Sequence, residues 1–146
     1  MRIDLRDEPF EPLVELGRYQ AGLDERLGGR YGATAIFIGT MRDENEGEPV
    51  RGMTLEHYPG MTERHLERIV ETAGREWPLL DALVIHRIGE LNPNDSIVLV
   101  ATWSGHRAAA FAACRFIMEE LKSKAPFWKR EDTVAGSRWV EHNTPG

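Results

Sequence analysis

The stretch SGHRAAAFAACRFIMEELKSKAPFWKRE, Ser104 to Glu131, decides how this chain folds. Ser104 is of a type that caps helix N-termini, and Pro126 excludes helix for the residue before it. The spacing therefore predicts one long helix over about residues 106–124. Within it Phe111, Cys114, Met118 and Leu121, flanked by Ala110 and Ile117, recur at helical intervals and read as a core-facing stripe. Arg115 and Lys122 fall roughly 20° from alignment at ~3.6 residues per turn, with Arg107 on a nearby azimuth. Beyond the proline the chain leaves as an extended segment. Phe127 and Trp128 are expected to anchor that exit in the core and so fix where Lys129 points.

Working outward, residues 80–89 (LDALVIHRIG) and 96–103 (SIVLVATW) read as strands separated by the turn Asn92-Pro93-Asn94-Asp95. Residues 32–42 (GATAIFIGTMR) and 50–58 (VRGMTLEHY) read as two more, joined by the polar loop 43–49 and expected to form a hairpin-like pair. Pro59-Gly60 precedes a helix over roughly 61–77, in which either Met61, His65, Ile69 and Ala73 or Leu66, Ile69, Val70 and Ala73 recur at helical spacing. Another helix is read over 12–27, closed by Gly28-Gly29, and two extended pieces flank Ala135-Gly136 near the C-terminus. The order α-β-β-α-β-β-α-β-β predicts an α+β fold with a largely antiparallel sheet, and 146 residues fit one domain over 1–146.

Composition narrows the function classes. No apolar run approaches the ~20 residues needed to span a bilayer, and MRIDLRDEPFEPL lacks the apolar stretch of a signal peptide, so a cytoplasmic location is expected. A single cysteine, Cys114, forbids an intrachain disulfide and reads as a core residue. The five histidines show no HxH or HxxxH spacing and no CxxC is present, so neither a metal nor another cofactor is expected. Net charge is −6, yet residues 104–130 carry a local +4, which leaves −10 for the rest. An acidic chain with one basic stretch points to a small anionic ligand or an acidic partner tail rather than duplex nucleic acid.

Two features lift this stretch above an ordinary solvated helix face. His106 and Arg107 sit in the opening turn, where the helix dipole already presents positive charge and an anion would satisfy side chains and free N–H groups together. Lys122, Lys124, Lys129 and Arg130 crowd around Pro126, and like charges held close lower one another's proton affinity, which makes a lysine a better base or nucleophile.

The runs SGHRAAAFAA, FIMEELKSKAPFWKRE and RWVE, together with GTMRDENEG (Gly39 to Gly47), LEHYPGMTE (Leu55 to Glu63) and HRIGEL (His86 to Leu91), resemble the molybdopterin synthase large subunit. The resemblance covers about residues 32–141, in order and at matching spacing. It implies a hammerhead-like α+β fold and a homodimer carrying one small ubiquitin-like subunit at each end, a heterotetramer overall. That partner inserts a C-terminal Gly-Gly tail ending in a thiocarboxylate, and two sulfurs pass to cyclic pyranopterin monophosphate to create the molybdopterin dithiolene. By motif position Lys122 and Lys129 resemble the family's catalytic lysines, Lys122 also meeting the partner's terminal glycine. Arg42, His106 and Arg107 match its anion-binding residues, and Met118 and Phe37 are pocket-lining candidates, with Phe37 on the partner-tail side. An enzyme that moves sulfur without a reactive thiol needs an external donor, and the thiocarboxylate is one.

Other residues read more plainly. His86-Arg87 closes an apolar strand and reads as structural; His57 and His65 read as structural or surface residues, and Lys124 and Arg138 equally well as surface charges. Relatives can place a basic residue near the C-terminus into the neighbouring protomer's pocket, where this chain has His142-Asn143. Two competing functions remain at this point. A non-catalytic scaffold for a ubiquitin-like tail needs the basic groove but not both lysines. RNA binding would use Phe127 and Trp128 for base stacking, against the net negative charge and the expected burial of both rings.

Overall fold

The computed structural model describes residues 1–133 and 136–140. In chain order the elements are β1 (Arg2–Arg6), α1 (Pro12–Leu27), β2 (Ala33–Thr40), β3 (Glu44–Asn45), β4 (Glu48–His57), α2 (Met61–Glu76), β5 (Leu79–Arg87), β6 (Gly89–Leu91), β7 (Ser96–Ser104), α3 (Arg107–Lys124), β8 (Phe127–Thr133) and β9 (Gly136–Trp139). They form the expected α+β architecture, with two sheets. The first runs β1-β5-β7-β2, parallel between β1 and β5 and antiparallel elsewhere. The second runs β3-β4-β8-β9, antiparallel, with β6 also paired to β4.

The continuous apolar runs LVI in β5 and IVLV in β7 identify strands covered on both faces. Alternate residues separate accordingly. Val84, Val98 and Val100 face α2 and α3, meeting Leu66, Ile69, Ala113 and Ile117. Leu83, Ile85, Leu99 and Trp103 face the other way, against Leu23 of α1. Several buried polar groups are paired: Thr102 Oγ1 donates to Ala110 O at 2.8 Å, and Asp81 accepts from Tyr19 Oη at 2.7 Å and from the Ala82 amide at 2.8 Å. Buried Arg87 donates to Glu90 O at 2.7 Å, tying the end of β5 to β6.

Several expectations from sequence need correction. β2 and β4 form no hairpin-like pair: β2 pairs with β7, while β4 crosses to the second sheet and pairs with β3, β6 and β8. β1, β3 and β6 were not foreseen, being short pieces whose pairing comes from distant strands. Ser104 ends β7 and donates to Pro78 O at 2.8 Å, so the residue at the N-cap of α3 is His106, with φ −134° and ψ 148°. Phe111 is 69% exposed and so lies outside the core stripe assigned to it, while in α2 the exposure of Met61 leaves Leu66, Ile69, Val70 and Ala73 as the buried stripe of the two read there.

The exit from α3 follows the sequence rule. Ala125 adopts φ −67° and ψ 139° before Pro126, which starts the chain toward β8. Buried Thr62, at the start of α2, donates through Oγ1 to Pro126 O at 3.1 Å and accepts from the Tyr58 amide at 3.1 Å, clamping this turn. Gly60 takes φ 81° immediately before α2, a conformation that favours glycine, and its amide donates to Glu63 Oε2 at 2.6 Å.

Candidate active site

β8 alternates, so Phe127, Lys129 and Glu131 share one face while Trp128 turns to the other. Register confirms the facing: Lys129 lies opposite Leu55 and Glu131 opposite Met53, both of them buried on β4. Trp128 is 40% exposed and meets Tyr58 edge-on at 4.4 Å, so Phe127 alone of the two rings turns toward the core. This corrects the expected burial of Trp128 and removes one argument against base stacking; the negative net charge still opposes it.

The inward face of β8, the end of α3 and the edge strand β2 enclose a cavity of about 660 Å³. Phe37, Met118, Lys122, Phe127 and Lys129 are among its lining residues. The structure thus brings four of the sequence-selected residues, Phe37, Met118, Lys122 and Lys129, into one cavity. Gly39, at the bulge of β2, keeps the wall thin: a Cβ there would lie 2.8 Å from Val98 Cγ1 and 3.3 Å from the Phe37 ring.

Burial within this cavity holds the Lys122 amine below the ordinary lysine value, with Lys129 and Arg42 adding repulsion. Lys129 is lowered too, first by desolvation and then by Arg42, while Glu131 pulls the other way. Arg42 follows β2, where Met41 donates to Asp95 O at 2.9 Å and accepts from the Asn94 amide at 2.8 Å. Its charge therefore acts on both lysines from a segment pinned by the turn before β7. A lysine with a depressed pKa has a larger neutral fraction near neutral pH, the form that acts as base or nucleophile.

His106 and Arg107 are not among the residues lining this cavity. They occupy the opposite end of α3, and at ~1.5 Å per residue Arg107 lies ~22 Å along the axis from Lys122. A single copy therefore does not gather them with the lysines into one composite pocket. His142 and Asn143 lie outside the described residues. Cys114 is buried as expected, its thiol pushed up to about 11 by burial, and Lys124 pairs with Glu120 at 2.9 Å on the surface. Among the described residues no group of three His, Cys, Asp or Glu is placed to hold a metal, and no helix is long and apolar enough to cross a membrane.

Two neighbours of the lysines escaped the sequence reading. Buried Glu131 accepts from Asn45 Nδ2 at 2.9 Å and from Arg138 at 3.4 Å, and Arg138 also pairs with Glu48 at 2.6 Å. The alternation of FWKRE was the signal for it. The second is His86, which lines the cavity. Burial lowers its pKa to about 4, against the opposing effect of the Arg87 carbonyl. The unfolded histidine binds its proton near pH 6.5, so the folded chain should lose stability as pH falls from about 6.5 through about 4. The expected loss at full protonation is roughly 3 kcal/mol at ~1.36 kcal/mol per pH unit. Urea titrations of wild type and His86→Phe should show wild type losing ground to the variant across that range. Parallel curves would contradict a neutral buried His86.

The MoaE protein family matches residues 13–124. Over 139 residues the chain is 54% identical to a protein of Ralstonia nicotianae named molybdopterin synthase catalytic subunit, with 95% of this chain and 76% of that protein covered. A Pseudomonas aeruginosa protein of the same name is 50% identical over 141 residues, covering 97% of this chain and 91% of the relative. Among solved structures, a molybdopterin biosynthesis MoaE protein from Burkholderia ambifaria is similar at TM-score 0.79 and 46% identity, covering 99% of this chain and 92% of that one. This chain belongs to the MoaE protein family.

Proposed function

We propose that this chain is the catalytic subunit of a molybdopterin synthase, a sulfurtransferase of molybdenum cofactor biosynthesis. The observation that carries the reading is the pair Lys122 and Lys129 on one cavity, both amines held below the ordinary lysine value. The chain takes two sulfurs from the C-terminal thiocarboxylate of a small ubiquitin-like subunit and transfers them to cyclic pyranopterin monophosphate. Lys122 meets the partner's terminal glycine and serves in covalent or proton transfer; Lys129 positions or activates the pterin. Phe37, exposed at the β2 edge, receives the tail, Met118 lines the substrate side, and Arg42 offsets substrate charge. The chemistry uses no metal or cofactor of the protein itself, and the enzyme works in the cytoplasm.

The working assembly in this reading is a homodimer with a small subunit at each end. Within a chain the length of α3 keeps His106 and Arg107 from the lysines, so their anion-binding role requires the second copy. Arg107→Ala is then expected to weaken binding of the pterin precursor roughly 10- to 100-fold, the scale of a lost charge-assisted hydrogen bond, and binding of the small subunit far less. Calorimetric titration of each ligand checks this; equal losses would contradict the phosphate assignment. The function itself is tested by combining the purified chain with thiocarboxylated small subunit and cyclic pyranopterin monophosphate, then weighing both products by mass spectrometry. Absence of sulfur transfer would favour a tail-binding scaffold.

A further inference from the structure

His86 lines the same cavity as the two lysines, yet the proposed chemistry gives it no role. The residue is 5% exposed and its ring lies flat on Phe127, with centroids 4.2 Å apart and planes 13° from parallel. Nδ1 is 2.7 Å from the Arg87 carbonyl oxygen. A carbonyl can only accept, so Nδ1 carries the hydrogen and donates; in the neutral ring Nε2 is then an acceptor. Both constraints tie the ring to the site: Phe127 begins the strand that carries Lys129, and Arg87 anchors the end of β5.

Several full charges lie near the lysine pair. Lys129 and Glu131 come from β8, Arg42 follows β2, and Arg115 and Glu119 line the cavity from α3 itself. His86, from β5, lines the same cavity, and the Lys122 charge is close enough to disfavour its protonation. We propose that His86 is a positioning residue for Lys122: its ring, locked by the Arg87 carbonyl and by Phe127, offers Nε2 as a fixed acceptor that orients the lysine amine within the cavity. It does not exchange a proton with substrate. It sets where the amine stands and how readily the amine gives up its own proton.

The test has two arms, and only the second rests on the proposed sulfur-transfer function. His86→Phe keeps a ring for the stack but removes both nitrogens, whereas His86→Gln returns a carbonyl oxygen that can reach toward the Nε2 position. His86→Asn, which can hold the Arg87 carbonyl but falls short of Nε2, serves if the phenylalanine variant does not fold. In the first arm an amine-selective acylating reagent is applied to the free chain across pH, and Lys122 modification is read by peptide mass spectrometry. Losing the acceptor destabilises the ammonium, so the midpoint should move to lower pH by at least ~0.5 in the Phe or Asn variant and return most of the way with Gln. In the second arm kcat should fall roughly tenfold with KM within about threefold, again with recovery in Gln.

A Lys122 midpoint unmoved in the Phe or Asn variant, or Gln no closer to wild type than these, overturns the inference. If the midpoint moves as expected while the wild-type chain transfers no sulfur, the positioning role stands and the functional proposal fails. If wild type turns over normally and neither arm responds to His86, the positioning role alone is overturned.

Discussion

Replacing Lys122 with alanine is expected to lower sulfur-transfer turnover by ~10²–10⁴-fold while leaving the fold and the complex with the small subunit intact. The size follows from the role: a positioned amine acting as base or nucleophile cannot be replaced by water at the same place. The selectivity follows from location. Lys122 lies in the last turn of α3 with its side chain on the cavity, beside rather than within the core stripe of Met118 and Leu121, so its removal leaves the core packing in place. Circular dichroism, small-subunit titration and turnover with thiocarboxylated partner separate the three effects. Near-normal turnover in the purified variant would rule out an essential Lys122.

The second large effect concerns the scaffold. Trp103→Ala should cost about 3–5 kcal/mol of stability, the range for losing a large aromatic ring from a packed interior. Trp103 is fully buried on β7, packs its ring 5.5 Å from Tyr19 at 40°, and donates through Nε1 to Gln20 Oε1 at 3.4 Å. It therefore fastens α1 to the face of the first sheet opposite α2 and α3. Urea unfolding measures the loss, and a cost below about 1 kcal/mol would mean that α1 contributes little to the first sheet. Because the cavity lies toward α3, the folded fraction of this variant should keep its KM for substrate.

Much of this was readable in advance where one residue type dictates local structure. Pro126 ends α3 and starts the extended exit, and the doubly covered strands β5 and β7 show as unbroken apolar runs. The misreadings have definite causes. Pairing β2 with β4 assumed that neighbours in sequence pair in space, whereas β2 finds β7 some sixty residues later. β1 shows only Ile3 and Leu5 between charges, too little to mark a strand without β5 beside it. Trp128 could not share the core with Phe127, because adjacent residues of a strand face opposite sides. Within one copy the rise of α3 holds His106 and Arg107 away from Lys122. The lysine pair itself was legible from clustered charge and from the family resemblance, while His86 was hidden because its strand reads as core.

The central claim is that Lys122 and Lys129 form the reactive edge of a sulfur-transfer cavity. It is tested most directly by a single-turnover reaction of the wild-type chain and the Lys122→Ala and Lys129→Ala variants with small subunit carrying a heavy-isotope thiocarboxylate. Mass spectrometry then reads the label in protein and pterin. The expected result is heavy sulfur in the pterin and a carboxylate-ended small subunit with wild type, and strongly diminished transfer with each variant although the complex still forms. Heavy sulfur reaching the pterin at wild-type rate in both variants would contradict the claim.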